Sequence, residues 1–281
     1  MLSSLNKYLS INLRYNYYVF FIKYIYPIFI LKKIDFNSKF GISKEFFTIK
    51  TSNFKNFYYY NITRSARYSS GGFVNVGKYL FKKYLLENIS INKQDTVIDI
   101  GANVGELTHY LTKFNPFIYA FDIEQKAIDC LTYNLRGYKK KSINKLAIWK
   151  NSGFFEFSSY SDDASSTLLF YKKDKKNLKI KKIKAVSLDQ FFKKKKIKKI
   201  KLIKIEAEGA EPEILQGALN ILKKTQFVSI DVGPERYSIP GVVGKSTLLL
   251  CKKILIKNNF KLLIKKNCCL GINKKYLQSS I

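Results

Sequence analysis

From about residue 90 the chain alternates short β-branched runs with helix-length segments of mixed polarity. Apolar runs bounded by turn residues read as buried strands, and the longer segments between them as helices. The first strand is TVIDI (96–100), followed by a glycine turn and the helix VGELTHYLTKF. The second is FIYAFDI (117–123), followed by EQKAIDCLTYNLRGY, and the third is NKLAIWK (144–150). The fourth is KLIKIEA (201–207), with EPEILQGALNILKK as its helix, and the fifth is QFVSIDV (226–232). Between the third and fourth, GFFEFSSY reads as a strand and SDDASSTLL as a loop, and a lysine-rich stretch from 172 leads into IKAVSLDQFF. A helix around 243–258 and an antiparallel pair, FKLLIK and CCLGIN, complete the pattern. This succession predicts an α/β fold, a mostly parallel seven-stranded sheet with helices on both faces. Residues 1–60 are aromatic and basic without a motif, so the chain divides into an N-terminal segment, 1–60, and a main domain, 61–281.

Composition adds a charge question. The chain carries 51 Lys+Arg against 20 Asp+Glu, a net charge of +31. Such a balance suggests nucleic acid or an anionic membrane as partner. Only five of the 51 basic residues are arginine, however. Phosphate and base readers favour arginine for its rigid bidentate fork. Lys, Ile, Asn, Phe and Tyr are all abundant, which fits compositional drift with solvated lysines. The lysine runs at 172–184 and 193–201 read as solvated faces, with an entrance for an anionic substrate as the alternative.

The cysteines are Cys130, Cys251, Cys268 and Cys269, without a CxxC pair, and His109 is the one histidine. A Cys/His zinc site is therefore not expected, and the cysteines read as reduced thiols of a cytoplasmic protein. The apolar run NYYVFFIKYIYPIFIL (16–31) is broken by Lys23 and Pro27. It falls short of the roughly 20 apolar residues of a spanning helix. It reads as a helix packed on the main domain, with peripheral membrane contact as the alternative.

The chemistry begins at VIDIGANVGELT. A buried strand ends in Asp99, and a tight turn carries Gly101 and Gly105 before a helix. Glycine lets the backbone turn sharply and lets a ligand approach without a Cβ in the way. Asp122 follows about 20 residues on, the distance at which an acid hydrogen-bonds ribose hydroxyls in such folds. The run lacks the third glycine of a dinucleotide fingerprint. An acid just before the turn suits a cationic amino-acid group better than a pyrophosphate. These residues favour S-adenosylmethionine over NAD. Asp99, Gly101, Ala102, Asn103, Gly105, Asp122, Ile123 and Ala147 form the candidate cofactor-binding set.

Three blocks resemble the FkbM family of S-adenosylmethionine-dependent methyltransferases. They are VIDIGANVGELT, then YAFDIEQKAIDCLTYNL, then SLDQFF with IKLIKIEAEGAEPEILQGA, together spanning roughly 95–233. The chain departs from the family pattern at Phe121-Asp122-Ile123, where F-E-P is usual, and at Glu206, where Asp is usual. Both positions keep a carboxylate. The resemblance implies a class I methyltransferase (Rossmann-like) fold and methyl transfer to a hydroxyl, often of a sugar in a polysaccharide, glycolipid or related metabolite.

Four acids, Glu206, Glu208, Glu211 and Glu213, cluster in EAEGAEPE. Glu211 and Glu213 bracket Pro212 at a helix start, where acids and proline suit the first turn. They read as structural. Glu206 and Glu208 lie at the carboxyl end of strand four, where ligands bind in open α/β sheets. A carboxylate there can take the proton that a hydroxyl sheds on methylation, and burial would raise its pKa and make it a better base. Asp231, ending strand five, is a further catalytic candidate. Asp163, Ser166 and Arg236 are candidate substrate-binding residues, and no metal site is expected. His109 reads as a helix-face residue. The expected acceptor is a glycan or small-molecule hydroxyl. An RNA or DNA methyltransferase is the alternative, and the row of carboxylates speaks against it by repelling a phosphate backbone. A third reading is a non-catalytic membrane-surface protein on a degenerate fold, which the intact glycine turn opposes.

Overall fold

The computed structural model describes residues 39–50, 56–61, 64–68, 71–160, 178–233 and 246–277. The chain opens with a small antiparallel sheet, β1 (Lys39–Ser43), β2 (Phe46–Lys50) and β3 (Phe57–Tyr59). Two helices follow, α1 (Ser65–Tyr68) and α2 (Gly72–Lys83). The first αβ units are β4 (Thr96–Ile100), α3 (Glu106–Leu111), β5 (Phe117–Asp122), α4 (Gln125–Asn134) and β6 (Lys141–Lys145). A second small sheet holds β7 (Ala147–Ile148), β8 (Gly153–Tyr160) and β9 (Leu178–Val186). Then come α5 (Leu188–Phe192), β10 (Ile200–Ile205), α6 (Glu211–Gln216), α7 (Leu219–Leu222) and β11 (Thr225–Asp231). The last elements are α8 (Thr247–Lys257), β12 (Phe260–Lys265) and β13 (Cys268–Asn273).

The central sheet has seven strands in the order β6-β5-β4-β10-β11-β13-β12. Only β13 runs against its neighbours. Numbered by its own strands, the order is 3-2-1-4-5-7-6, the mostly parallel α/β sheet that the alternating pattern predicted. Its central strands are continuous apolar runs because both faces are covered. Alternate residues serve opposite cores: Val97 and Leu202 pack on one side, Ile98 and Ile203 on the other.

The third strand differs from the sequence expectation. β6 lies at 141–145, while Ala147 and Ile148 leave the main sheet to pair with Ala185 and Val186. β6 is an edge strand of polar sequence, KSINK, half-buried from Lys141 to Asn144 and exposed at Lys145, so its apolar signal is weak. The stronger apolar run just after it belongs to the small sheet.

Strands β2 and β3 share the core of the main domain, with Ile49, Phe57 and Tyr59 packed in one cluster with Val97 and Leu131. Asn134 is the clasp. Its Oδ1 accepts from Tyr58 N at 2.7 Å, and its Nδ2 donates to Tyr58 O at 2.9 Å and Val104 O at 2.7 Å. The small sheet is thereby tied to the glycine turn. The segment 16–31, considered above for a membrane surface, lies outside the described residues. Among the described residues, no helix is long and apolar enough to cross a membrane. All four cysteines are buried, and none forms a disulfide.

Candidate active site

A cleft of about 270 Å³ opens at the carboxyl ends of β4, β5 and β10. Between β4 and β10 the winding of the sheet reverses, the place where open α/β sheets bind ligands. The glycine turn forms its floor. At Gly101, φ is +71° and a Cβ would sit 1.8 Å from the Glu206 carbonyl oxygen, so only glycine lets the two strand ends close up.

Asp122 ends β5 on the cleft wall. Its Oδ2 accepts from Asn103 N at 2.8 Å and its Oδ1 from Glu124 N at 3.0 Å. Burial nevertheless lifts its pKa above the ordinary carboxylate value, the backbone hydrogen bonds opposing. Ile123, Leu146, Ala147 and Ile148 add an apolar wall beside it. Ala102 and Asn103 also line the cleft, and the buried Asn103 side-chain carbonyl meets no hydrogen-bond donor among the described residues.

Asp99 sits one layer behind. It is fully buried, with Thr108 Oγ1 donating to its Oδ2 at 2.6 Å and the Lys204 ammonium 3.1 Å from its Oδ1. Lys204 rises next to the carboxyl end of β10, and its side chain is 3% exposed. It also donates to Gly101 O at 2.8 Å and lies 3.4 Å from Glu206 Oε2. Burial works against its charge, but Asp99 and Glu206 more than offset this and raise its pKa above the ordinary lysine value.

The array continues through Glu206 to α2. Lys83 Nζ lies 3.5 Å from Glu206 Oε1 and 2.6 Å from Asp231 Oδ2. The Tyr84 ring faces both ammoniums, at 5.0 Å from Lys83 and 5.3 Å from Lys204. Burial opposes the charge of Glu206, yet Lys204 and Lys83 hold its pKa down to about 2. That corrects the expectation that burial would make Glu206 a stronger base. Asp231 is shifted the other way: burial and the nearby Glu206 raise its pKa against the pull of Lys83. Glu208 lines the cleft with a left-handed φ of +49°, a costly conformation for a residue with a Cβ.

Several acids of the family-like blocks are structural. Glu211 is buried, and its Oε1 accepts from Ala207 N at 2.8 Å and Gly209 N at 3.3 Å, stapling the turn after β10. Asp189 accepts from Asn220 N and Ile221 N, each at 2.9 Å, while Ser187 caps α5 through Gln190 N. His109 stands against Phe57 and Phe73, its pKa lowered by burial. The candidate substrate residues Asp163, Ser166 and Arg236 lie outside the described residues. Among the described residues, no three His, Cys, Asp or Glu are grouped to hold a metal ion.

Residue-by-residue reading of the sequence missed Tyr60, Arg64 and Arg67 on the cleft wall, and Lys83 and Lys204 in the array. Lys204 had a visible signal, a charge among Leu202, Ile203 and Ile205 in a strand whose other polar residue is the half-buried Lys201. The others lie in segments without a motif.

The family model described as "Methyltransferase FkbM domain" matches residues 99–241. The chain belongs to the FkbM methyltransferase family. It is an S-adenosylmethionine-dependent methyltransferase. No curated protein matches its sequence. Among solved structures it is similar to the Methanococcus jannaschii fibrillarin pre-rRNA processing protein, at 11% identity and TM-score 0.42, covering 85% of this chain and 99% of that one. It is also similar to precorrin-6y C5,15-methyltransferase from Geobacter metallireducens GS-15, at 9% identity and TM-score 0.40, covering 71% and 89%. A third is magnesium protoporphyrin IX methyltransferase from Synechocystis PCC 6803 with bound S-adenosylmethionine, at 9% identity and TM-score 0.38, covering 71% and 79%. The FkbM match and the strand order make this a class I methyltransferase fold.

The cleft residues fit the cofactor of this FkbM methyltransferase. Asp122 offers acceptors for a ribose diol, the apolar wall from Ile123 to Ile148 suits a flat base, and the undonated Asn103 carbonyl suits an ammonium.

Proposed function

We propose that this FkbM methyltransferase methylates a hydroxyl of a sugar, in a glycan, glycolipid or related small molecule, with Asp231 taking the hydroxyl proton. The observation that carries the reading is the alternating array Asp231–Lys83–Glu206–Lys204–Asp99, which joins the end of α2 to the carboxyl ends of β4, β10 and β11. The cofactor supplies an electrophilic methyl group on a sulfonium. The acceptor oxygen forms the new bond to carbon as the sulfur–carbon bond breaks, and its proton must go to a nearby base. Glu206 is clamped by two ammoniums and too weak a base for this. Asp231, with its raised pKa, is the better acceptor. Lys83 keeps the Asp231 carboxylate oriented and charged before transfer.

Charge balance supports the same assignment. Three carboxylates against two ammoniums leave the array with one net negative charge. That charge complements a cofactor with one net positive charge. A proton on Asp231 neutralises the array in the step that removes the sulfonium charge.

The test incubates purified protein, S-adenosylmethionine labelled in its methyl group, and a lysate of the source cell depleted of the enzyme. Label in glycan, lost with Asp231→Asn, supports the reading. Label in a nuclease-sensitive fraction sinks it.

A further inference from the structure

We infer that Arg67 binds the α-carboxylate of S-adenosylmethionine. The assignment rests on the cofactor reading above and adds the one group it left without a partner. The described cleft wall is rich in carboxylates, including Glu106, Asp122, Glu206 and Glu208. An anionic carboxylate entering it is repelled unless a cation meets it.

Among the described residues, three cations line the cleft: Arg64, Arg67 and Lys204. Lys204 is committed to Asp99, Glu206 and the glycine-turn carbonyls. Arg64 is committed as well. It is 13% exposed and lies 2.9 Å from Glu106 Oε1, which also accepts from Tyr68 OH at 2.8 Å. Arg67 is exposed in the last turn of α1 and makes no ion pair with another described residue.

α1 is held in place on both sides of Arg67. The Ser65 hydroxyl is 2.8 Å from Tyr59 OH, and Tyr68 is fully buried on Glu106. Its orientation is therefore fixed by the core. Arg67 and Glu206 line the same cleft, and the Arg67 charge helps to lower the Glu206 pKa. Asp122 marks the ribose end. A cofactor with its ribose at Asp122 and its amino group at the glycine turn carries its carboxylate towards α1. A guanidinium suits a carboxylate through paired, charge-assisted hydrogen bonds.

The test is calorimetric binding, without any acceptor, of S-adenosylhomocysteine and 5′-methylthioadenosine. The second probe lacks the amino-acid group. Arg67→Ala should weaken S-adenosylhomocysteine about 10–150-fold, the range of a hydrogen bond to a charged group. It should leave 5′-methylthioadenosine within about twofold. Arg67→Lys should recover part of the loss. Unchanged affinity for S-adenosylhomocysteine, or equal loss for both probes, overturns the assignment. Wild-type protein that bound neither probe would sink the cofactor reading itself and this assignment with it.

Discussion

Lys83 Nζ donates to Asp231 Oδ2 at 2.6 Å, joining residues 148 apart in the chain. Lys83 ends α2, outside the segment that matches the FkbM family, whereas Asp231 ends a central strand within it. The helix before the methyltransferase unit thus completes the charge array beside the cleft.

Removing that ammonium has a predictable sign. Lys83 lowers the Asp231 pKa, while burial and Glu206 raise it. In Lys83→Met only the raising influences remain, so the carboxyl protonates at higher pH. The acid limb of the pH–rate profile should move to higher pH, with a loss below it of about tenfold for each pH unit that the limb moves. Lys83→Arg should restore most of the profile. Carboxyl NMR titration of the aspartates checks the shift without an acceptor. An unmoved Asp231 titration in Lys83→Met would refute the coupling.

Lys204 tests the buried half of the array. Lys204→Met leaves Asp99, fully buried, without its ammonium. Breaking a buried pair from one side costs about 3–5 kcal/mol, because a charge stays behind uncompensated. Urea unfolding should show that loss. Pairing the change with Asp99→Asn should recover part of it, since residues in one network are not additive. A strictly additive double variant would mean that the two side chains are energetically independent.

The glycine turn gives a steric prediction. A Cβ on Gly101 meets a backbone carbonyl oxygen, which cannot swing aside as a flexible side chain can. Gly101→Ala should part the ends of β4 and β10, lower the melting temperature and abolish S-adenosylhomocysteine binding. Calorimetry and a thermal melt read both effects. Wild-type binding in this variant would show that the close approach is dispensable.

The parts legible in sequence are those with local periodicity. TVIDI, with Val97, Ile98 and Ile100 all buried, announces a strand covered on both faces, and β4 starts and ends with it. The antiparallel ending was legible for the same reason, since FKLLIK and CCLGIN match β12 and β13. Polar KSINK hid β6 because an edge strand needs few apolar residues. In the site, Asp122 and Gly101 were readable because their roles follow from chain geometry near one turn. Arg67 and Lys83 were not. They reach the cleft and its array through α1 and α2, whose placement depends on tertiary packing of the Tyr59, Tyr68 and Phe73 cluster. The basicity of Glu206 was misjudged because its sign depends on two ammoniums, one of them 123 residues away in sequence.

Glu206 makes the pH dependence of stability testable. Its folded pKa is about 2, below the ordinary 4.5, so the folded state binds its proton more weakly than the unfolded state. A depressed carboxyl contributes stability that is complete above the unfolded value and is lost as pH falls through the folded one. The window therefore runs from about pH 4.5 down to about pH 2. The side chain is 35% exposed, so solvent trims the effect. Asp231 is shifted upward and works in the opposite sense, taking its proton earlier and softening the slope. Urea midpoints measured from pH 5 to pH 2 should fall for the wild type and fall less steeply for Glu206→Gln. Equal slopes in the two proteins would show that Lys83 and Lys204 do not hold Glu206 in its charged form.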